Sequence, residues 1–304
     1  MAMNPTIQAP QAGDSVRGFV YALTAYLLWG FLPFYMKAVA HISPLEVIVH
    51  RVVWSVPIAA IVLIVLGRTA EIRQALTTPR MLAMACLTAS LISVNWGIYI
   101  WAIGSGHALD AALGYFINPL FSILLGALIL KEKLSRMQIA AISLVAIAVA
   151  LLTWNAGGVP WVALALTVSW GFYAFFRKTL PIGPTQGFLL EVLLLTPPAL
   201  AFIVYLAFTG QGHFFAGTAQ DSWLLAASGL ITAVPLIFYG NGAKLLKLST
   251  IGIMQYIAPS MIFVIAVFVF KEPFDTVRMI AFTMIWAALA VYTLPSLMKG
   301  RAAG

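Results

Sequence analysis

Charge is scarce in this chain. Lysine, arginine, aspartate and glutamate make up 9% of its 304 residues, against about 25% in a soluble globular domain. Too few charged side chains are present to cover a globule of this size with a water-compatible surface. A soluble enzyme, a disordered scaffold and a secreted disulfide module are excluded on that ground. Cysteine is nearly absent too. The single Cys86 lies in an apolar run, which leaves no disulfide within the chain and no cysteine-based metal site. Four histidines (His41, His50, His107 and His213) are scattered without metal-ligand spacing. There is no His-Glu-x-x-His pair, no phosphate-cradling loop and no nucleotide-binding segment,.

What fills the chain is apolar. Hydrophobic residues make up 62% of it, and the mean hydropathy is +0.99. A bilayer core of about 30 Å needs roughly 20 apolar residues per helix. Runs near that length cover 18–38, 45–66, 80–103, 109–130, 137–154, 160–177, 187–208, 222–240, 249–270 and 276–295. The expected fold class is therefore an all-α polytopic membrane protein with ten transmembrane helices, embedded in the lipid bilayer.

The net charge of +8 comes from 17 Lys and Arg against 9 Asp and Glu. The cations sit in the short segments between apolar runs, so no nucleic-acid partner is expected. With the N-terminus in the cytoplasm, the inner side holds Arg17, Arg68, Arg73, Arg80, Lys131, Lys133, Arg136, Arg177, Lys178, Lys244, Lys247, Lys299 and Arg301. The outer side holds only Lys37, Lys271 and Arg278, and Arg51 lies within a span. The positive-inside rule then puts both termini in the cytoplasm. Ala38-Val39-Ala40 mimics a signal-peptide cleavage site. The run before it is too long for such a peptide and Lys37 interrupts its end, so retention of the first helix is expected. Residues 1–16 read as a flexible tail, and 298–304 as a second short one.

The chain also matches itself. Trp29-Gly30-Phe31, Phe34 and Lys37 recur 141 positions later as Trp170-Gly171-Phe172, Phe175 and Lys178. At a shift of 140, Tyr99 falls on Tyr239, Pro119 on Pro259 and Lys131-Glu132 on Lys271-Glu272. The repeat divides the chain into two five-helix units, 17–154 and 158–297. Five is odd, so the second unit must enter the membrane from the opposite face. Inverted repeats of this kind are a transporter architecture with the substrate site near the midplane.

Several of these stretches resemble a known family. Trp29-Gly30-Phe31-Leu32-Pro33, His41-Ile42-Ser43-Pro44-Leu45-Glu46 and His50-Arg51 are similar to the RarD-like branch of the bacterial drug/metabolite (EamA-type) transporters. So are Tyr115-Phe116-Ile117-Asn118-Pro119-Leu120, Gln255-Tyr256-Ile257-Ala258-Pro259 and Lys271-Glu272-Pro273-Phe274. The resemblance implies ten helices in two inverted repeats in the bacterial inner membrane. It also implies export of small metabolites or drugs, such as amino acids or chloramphenicol, with no cofactor. A monomer is one state compatible with it.

Helical rise converts position into depth. Trp29, Gly30, Trp170, Gly171, Asn118-Pro119 and Ala258-Pro259 all fall near mid-membrane. Two readings stand for them: the lining of a cavity, or helix packing, since Gly and Pro are frequent in membrane helices. The same pair of readings holds for Asn95, Tyr99 and Tyr239, and for Tyr115, Gln255 and Tyr256 beside the prolines. Pro119 and Pro259 are candidate hinges. His50 and Arg51 lie five or six residues into their span, with Arg51 expected to snorkel outward and Glu46 four residues before His50. Glu191 occupies the position matching His50 but near the opposite face, so an Arg51–Glu191 salt bridge is not expected. These three are candidates for gating or coupling, or for anchoring helices to neighbours.

The expected function is secondary transport, as export by alternating access. With no cation expected at midplane depth, neutral or zwitterionic amphipathic solutes fit better than nucleotide sugars. The competing class is an intramembrane enzyme using His50 and Glu191 as acid and base. Their separation argues against it, because proton transfer needs hydrogen-bond reach.

Overall fold

A computed structural model of the chain describes residues 15–302 apart from 68, 130, 132, 180, 181, 244 and 247. Most of the N-terminal tail therefore lies outside the described residues, as do Arg68, Glu132, Lys244 and Lys247 and the side chains of Lys178, Lys299 and Arg301.

The described chain is helical. In order, the elements are α1 (Val16–Ala38), α2 (Pro44–Val65), α3 (Ala70–Thr77), α4 (Pro79–Gly104), α5 (Ala108–Ile129), α6 (Arg136–Ala156) and α7 (Trp161–Thr179). They continue with α8 (Pro184–Thr209), α9 (His213–Ala216), α10 (Ala219–Ala243), α11 (Leu248–Met254), α12 (Ile257–Val264) and α13 (Thr276–Ala302). A π-helical turn, Ile265–Val269, extends α12. Among the described residues seven helices are long and apolar enough to cross a bilayer: α1, α2, α4, α5, α6, α8 and α10. The sixth apolar run forms the 19-residue α7, close to its expected bounds. Two other runs differ from the expectation. The ninth is broken into α11 and α12 at Gln255–Tyr256. The tenth continues as helix to Ala302, through most of the stretch expected to be a tail.

Local chemistry sets the helix ends. Ser15 caps α1 by accepting from the Gly18 N–H at 3.0 Å. Ser135 and Gln138 form a reciprocal capping box at the start of α6,. Pro44, Pro79 and Pro184 open α2, α4 and α8, where a missing N–H costs nothing,. Gly157 and Gly210 end α6 and α8 in the left-handed conformation,. The helices of the second half start in register with those of the first. Pro44 and Pro184, Pro79 and Ala219, Ala108 and Leu248, and Arg136 and Thr276 are each 140 positions apart.

The packing obeys the same correspondence. α1 packs on α10 and α12, and α7 on α4 and α5; α2 lies against α8, and α6 against α13. Large apolar side chains such as Phe19, Phe31, Ile64, Leu128, Ile147 and Phe208 are exposed around the outside. In water such a surface would aggregate; in a bilayer it is the required one. Trp154, Trp161 and Trp223 are exposed at helix ends, where indole rings favour the membrane interface,.

A polar and aromatic cavity between the halves

The helices can approach closely at the Trp-Gly positions. A side chain at Gly30 would collide with Met261 on α12, and one at Gly171 with the Phe121 ring on α5. Met261 and Phe121 are themselves 140 positions apart. Each glycine thus lets its helix sit against the proline-bearing helix and turns the neighbouring tryptophan toward the interior.

A cavity of about 290 Å³ lies where these helices meet, lined by residues of α1, α2, α4, α5, α7, α10 and α12. Trp29, Asn95, Tyr99, Tyr115, Asn118, Trp170, Tyr239 and Gln255 all line it, with Pro119 and Pro259 beside them. Most of the lining comes in pairs related by the internal repeat: Trp29 with Trp170, Leu32 with Tyr173, Ile92 with Thr232, Trp96 with Leu236 and Tyr99 with Tyr239. Tyr115 with Gln255, Asn118 with Ala258, Pro119 with Pro259 and Ser122 with Ile262 complete the set. Rings gather at two places. Tyr26, Trp29 and Tyr239 have centroids 5.5–6.0 Å apart. Trp170 lies 5.6 Å from Tyr173 and 6.3 Å from Tyr115.

The two prolines act differently. Proline lacks an N–H and its ring crowds the carbonyl four residues earlier. α5 continues through Pro119, whereas the chain before Pro259 breaks at Gln255–Tyr256. There the Tyr256 N–H turns to the Ile253 carbonyl at 3.2 Å, the tighter 3₁₀ spacing,. Gln255 therefore enters the cavity from a helix break, as in transporters that bind substrate at discontinuous helices.

Asn95 is fully engaged. It donates to the Leu166 carbonyl at 3.1 Å and to Ser169 Oγ at 2.9 Å, and accepts from Tyr115 Oη at 3.3 Å. It joins α4, α5 and α7 as much as it lines the cavity.

Arg51 corrects an expectation. It does not snorkel outward but is buried, 4% exposed, and lines the cavity. Its Nε donates to Thr232 Oγ1 at 2.9 Å, and its guanidinium lies over the Trp96 ring, 4.5 Å from the centroid. The interior therefore holds a fixed cation that the sequence reading did not place there. Arg51 is the eighth residue of α2, about 10 Å along it, and its long side chain carries the charge farther inward.

Other candidates sit outside the lining. Gly30 faces Met261, and the Tyr256 ring stacks on Phe116 at 6.4 Å. The His50 ring stacks on Phe214 at 4.7 Å, and Trp54 Nε1 lies 3.3 Å from His50 Nδ1. Glu46 does not pair with His50. Its carboxylate takes the His213 N–H at 2.6 Å and lies 2.8 Å from His213 Nδ1, on the short α9. Glu191 is buried at 1% exposure, with Arg177 Nε 3.3 Å from its Oε1 and Tyr173 Oη donating to its Oε2 at 3.2 Å. Tyr173 also lines the cavity, so Glu191 reaches it through one side chain. His50 and Glu191 have separate neighbours and share none of these contacts, so nothing in the geometry favours an acid–base pair. The sequence reading missed Arg177 as the partner of Glu191, Tyr173 as the link and Thr232 as the anchor of Arg51.

An apolar-sheathed helical bundle around a polar, aromatic cavity defines a polytopic membrane protein built to hold a small molecule. Residues 16–154 match the EamA-like transporter family. An uncharacterized transporter of Vibrio cholerae is 40% identical over 294 residues, covering 97% of each chain. Protein RarD of Escherichia coli is 34% identical, covering 95% of this chain and 98% of that one. The chloramphenicol-sensitive protein RarD of Pseudomonas aeruginosa is 30% identical, covering 90% and 93%. A solved crystal structure shares the fold with TM-score 0.57 at 19% identity, covering 91% of this chain and 96% of the other. The chain belongs to the EamA-like transporters, in their RarD-like branch.

Proposed function

We propose that this membrane transporter exports small amphipathic metabolites or drugs across the bacterial inner membrane by alternating access. In this reading, ten spans form two inverted five-helix repeats, 17–154 and 158–297, with both termini in the cytoplasm. The carrying observation is the cavity lining, where both members of several repeat-related pairs face one space. A site built equally from two inverted halves can open to either face by rocking one half against the other. The large ring faces stack an apolar body while scattered polar groups hold its polar ends. Nucleotide sugars remain disfavoured, since among the described residues Arg51 is the only Lys or Arg in the lining. The relative named for chloramphenicol sensitivity makes that drug a cargo worth testing. Glu191, tied to the cavity by Tyr173, is the candidate for coupling to a proton gradient. A flux screen in proteoliposomes across amino acids and amphipathic drugs, with and without a pH gradient, tests this. Saturable, gradient-responsive movement of such a solute is expected. Catalytic turnover without solute movement would replace this reading with an enzyme.

A further inference from the structure

We infer that the cargo carries a carboxylate and that Arg51 is the group that selects it; this rests on the transport reading above. The repeat symmetry of the lining makes the exception visible. At the shift of 140 that aligns Pro44 of α2 with Pro184 of α8, residue 51 falls on Glu191, which lies outside the lining, so only one half supplies a cation to it. Arg51 is held ready rather than neutralised. Thr232 takes its Nε, Trp96 covers its face, and among the described residues no carboxylate lies within ion-pair distance of it. Its Nη1 is buried with no hydrogen-bond partner in the protein. A buried charge without an opposite partner is costly, and a planar guanidinium matches a carboxylate edge in geometry and charge. Tyr99 Oη and Asn118 Oδ1 are also buried without partners, and both line the same cavity. Three polar atoms without a partner in the protein thus belong to residues that line one cavity, whose wall is otherwise mainly aromatic and aliphatic. Among the described residues the lining contains no Asp or Glu to repel an anion.

The solute that satisfies this arrangement has one carboxylate on Arg51 and an aromatic or aliphatic body against the tryptophans. The test uses two probes of nearly identical shape, 3-phenylpropanoate and 3-phenylpropanamide, titrated calorimetrically against the full-length protein in detergent. The acid is expected to bind at least about tenfold more tightly than the amide, the size of one charge-assisted contact. Arg51→Met is expected to erase that preference by lowering acid affinity at least about tenfold more than amide affinity, and Arg51→Lys to retain part of it. Equal affinity for acid and amide in the wild type overturns the inference, and so does an acid preference that survives in a folded Arg51→Met. If Arg51→Met does not fold, the wild-type ratio and Arg51→Lys decide the question. Absence of binding by both probes also overturns it, while saturable flux of other solutes would leave the transport reading standing.

Discussion

Lys131 and Lys271, 140 positions apart, share one left-handed backbone conformation, with φ 56° in each. Among the described residues no other non-glycine residue has positive φ. A side chain in that region costs roughly 1–2 kcal/mol, so the same strain at matching positions reflects the same imposed turn. In the second half the turn delivers Glu272 to the interior. Glu272 is buried and accepts from the Ala108 and Leu109 N–H groups at 2.7 and 2.9 Å, capping α5 from across the bundle.

Glu272→Gln is therefore expected to lower stability by about 1–3 kcal/mol, the range for a buried group losing its charged partner. Thermal unfolding in detergent reads the change. An unaltered midpoint would mean that the α5 terminus does not depend on this carboxylate.

Gly229 sets the distance between α2 and α10. A side chain there would strike the Trp54 backbone, three residues beyond Arg51, while Thr232 lies three beyond Gly229. Gly229→Ala should cost about 1–3 kcal/mol through overpacking and draw Thr232 away from Arg51. Gly158→Ala, facing open space, is the matched control and should unfold like the wild type. Equal stability of the two variants would contradict the close approach.

Glu191→Gln keeps the size of the side chain but removes its charge and weakens its hold on Arg177. Gradient-driven flux is expected to fall about tenfold or more while solute exchange at equal pH persists. Equal loss of both modes, with lower expression, would instead assign the Arg177–Glu191 pair to packing.

The sequence revealed the parts of this site that recur. Trp29 and Trp170, Tyr99 and Tyr239, and Pro119 and Pro259 stand at matching positions in both halves, and period and depth sufficed to bring them together. Hidden from it were partners chosen across the bundle. Arg51 looked shallow because depth was counted along the helix, whereas its side chain and the close α2–α10 contact at Gly229 carry it inward. Glu46 was matched with His50 by helical spacing, but a segment 167 positions away, at His213, supplies its partner. Arg177 was counted as a loop cation, yet α7 runs on to Thr179 and holds it against α8. The break at Gln255–Tyr256 was hidden for another reason: Pro119 and Pro259 are the same residue in the same register, and only the second interrupts its helix.

The proposed topology rests on the distribution of cations. Reporter fusions at residue 1 and residue 304 should both report cytoplasm, and one between Gly106 and His107 should report the outer side. Termini found on opposite faces would overturn the inverted arrangement, since two five-helix units place both ends on one face, and both termini outside would overturn the orientation.

Alternating access requires that one cavity serve both faces of the membrane. Ser122 lines it and is close in shape to cysteine, and the sole native cysteine, Cys86, is exposed on the outside of the bundle and can be replaced by alanine. The measurement is labelling of Ser122→Cys in the Cys86→Ala background by a membrane-impermeant thiol reagent, in right-side-out and inside-out vesicles. Labelling from both faces, slowed by bound solute in each orientation, is the predicted result. Labelling from one face only, unaffected by any transported solute, would contradict alternating access through this cavity.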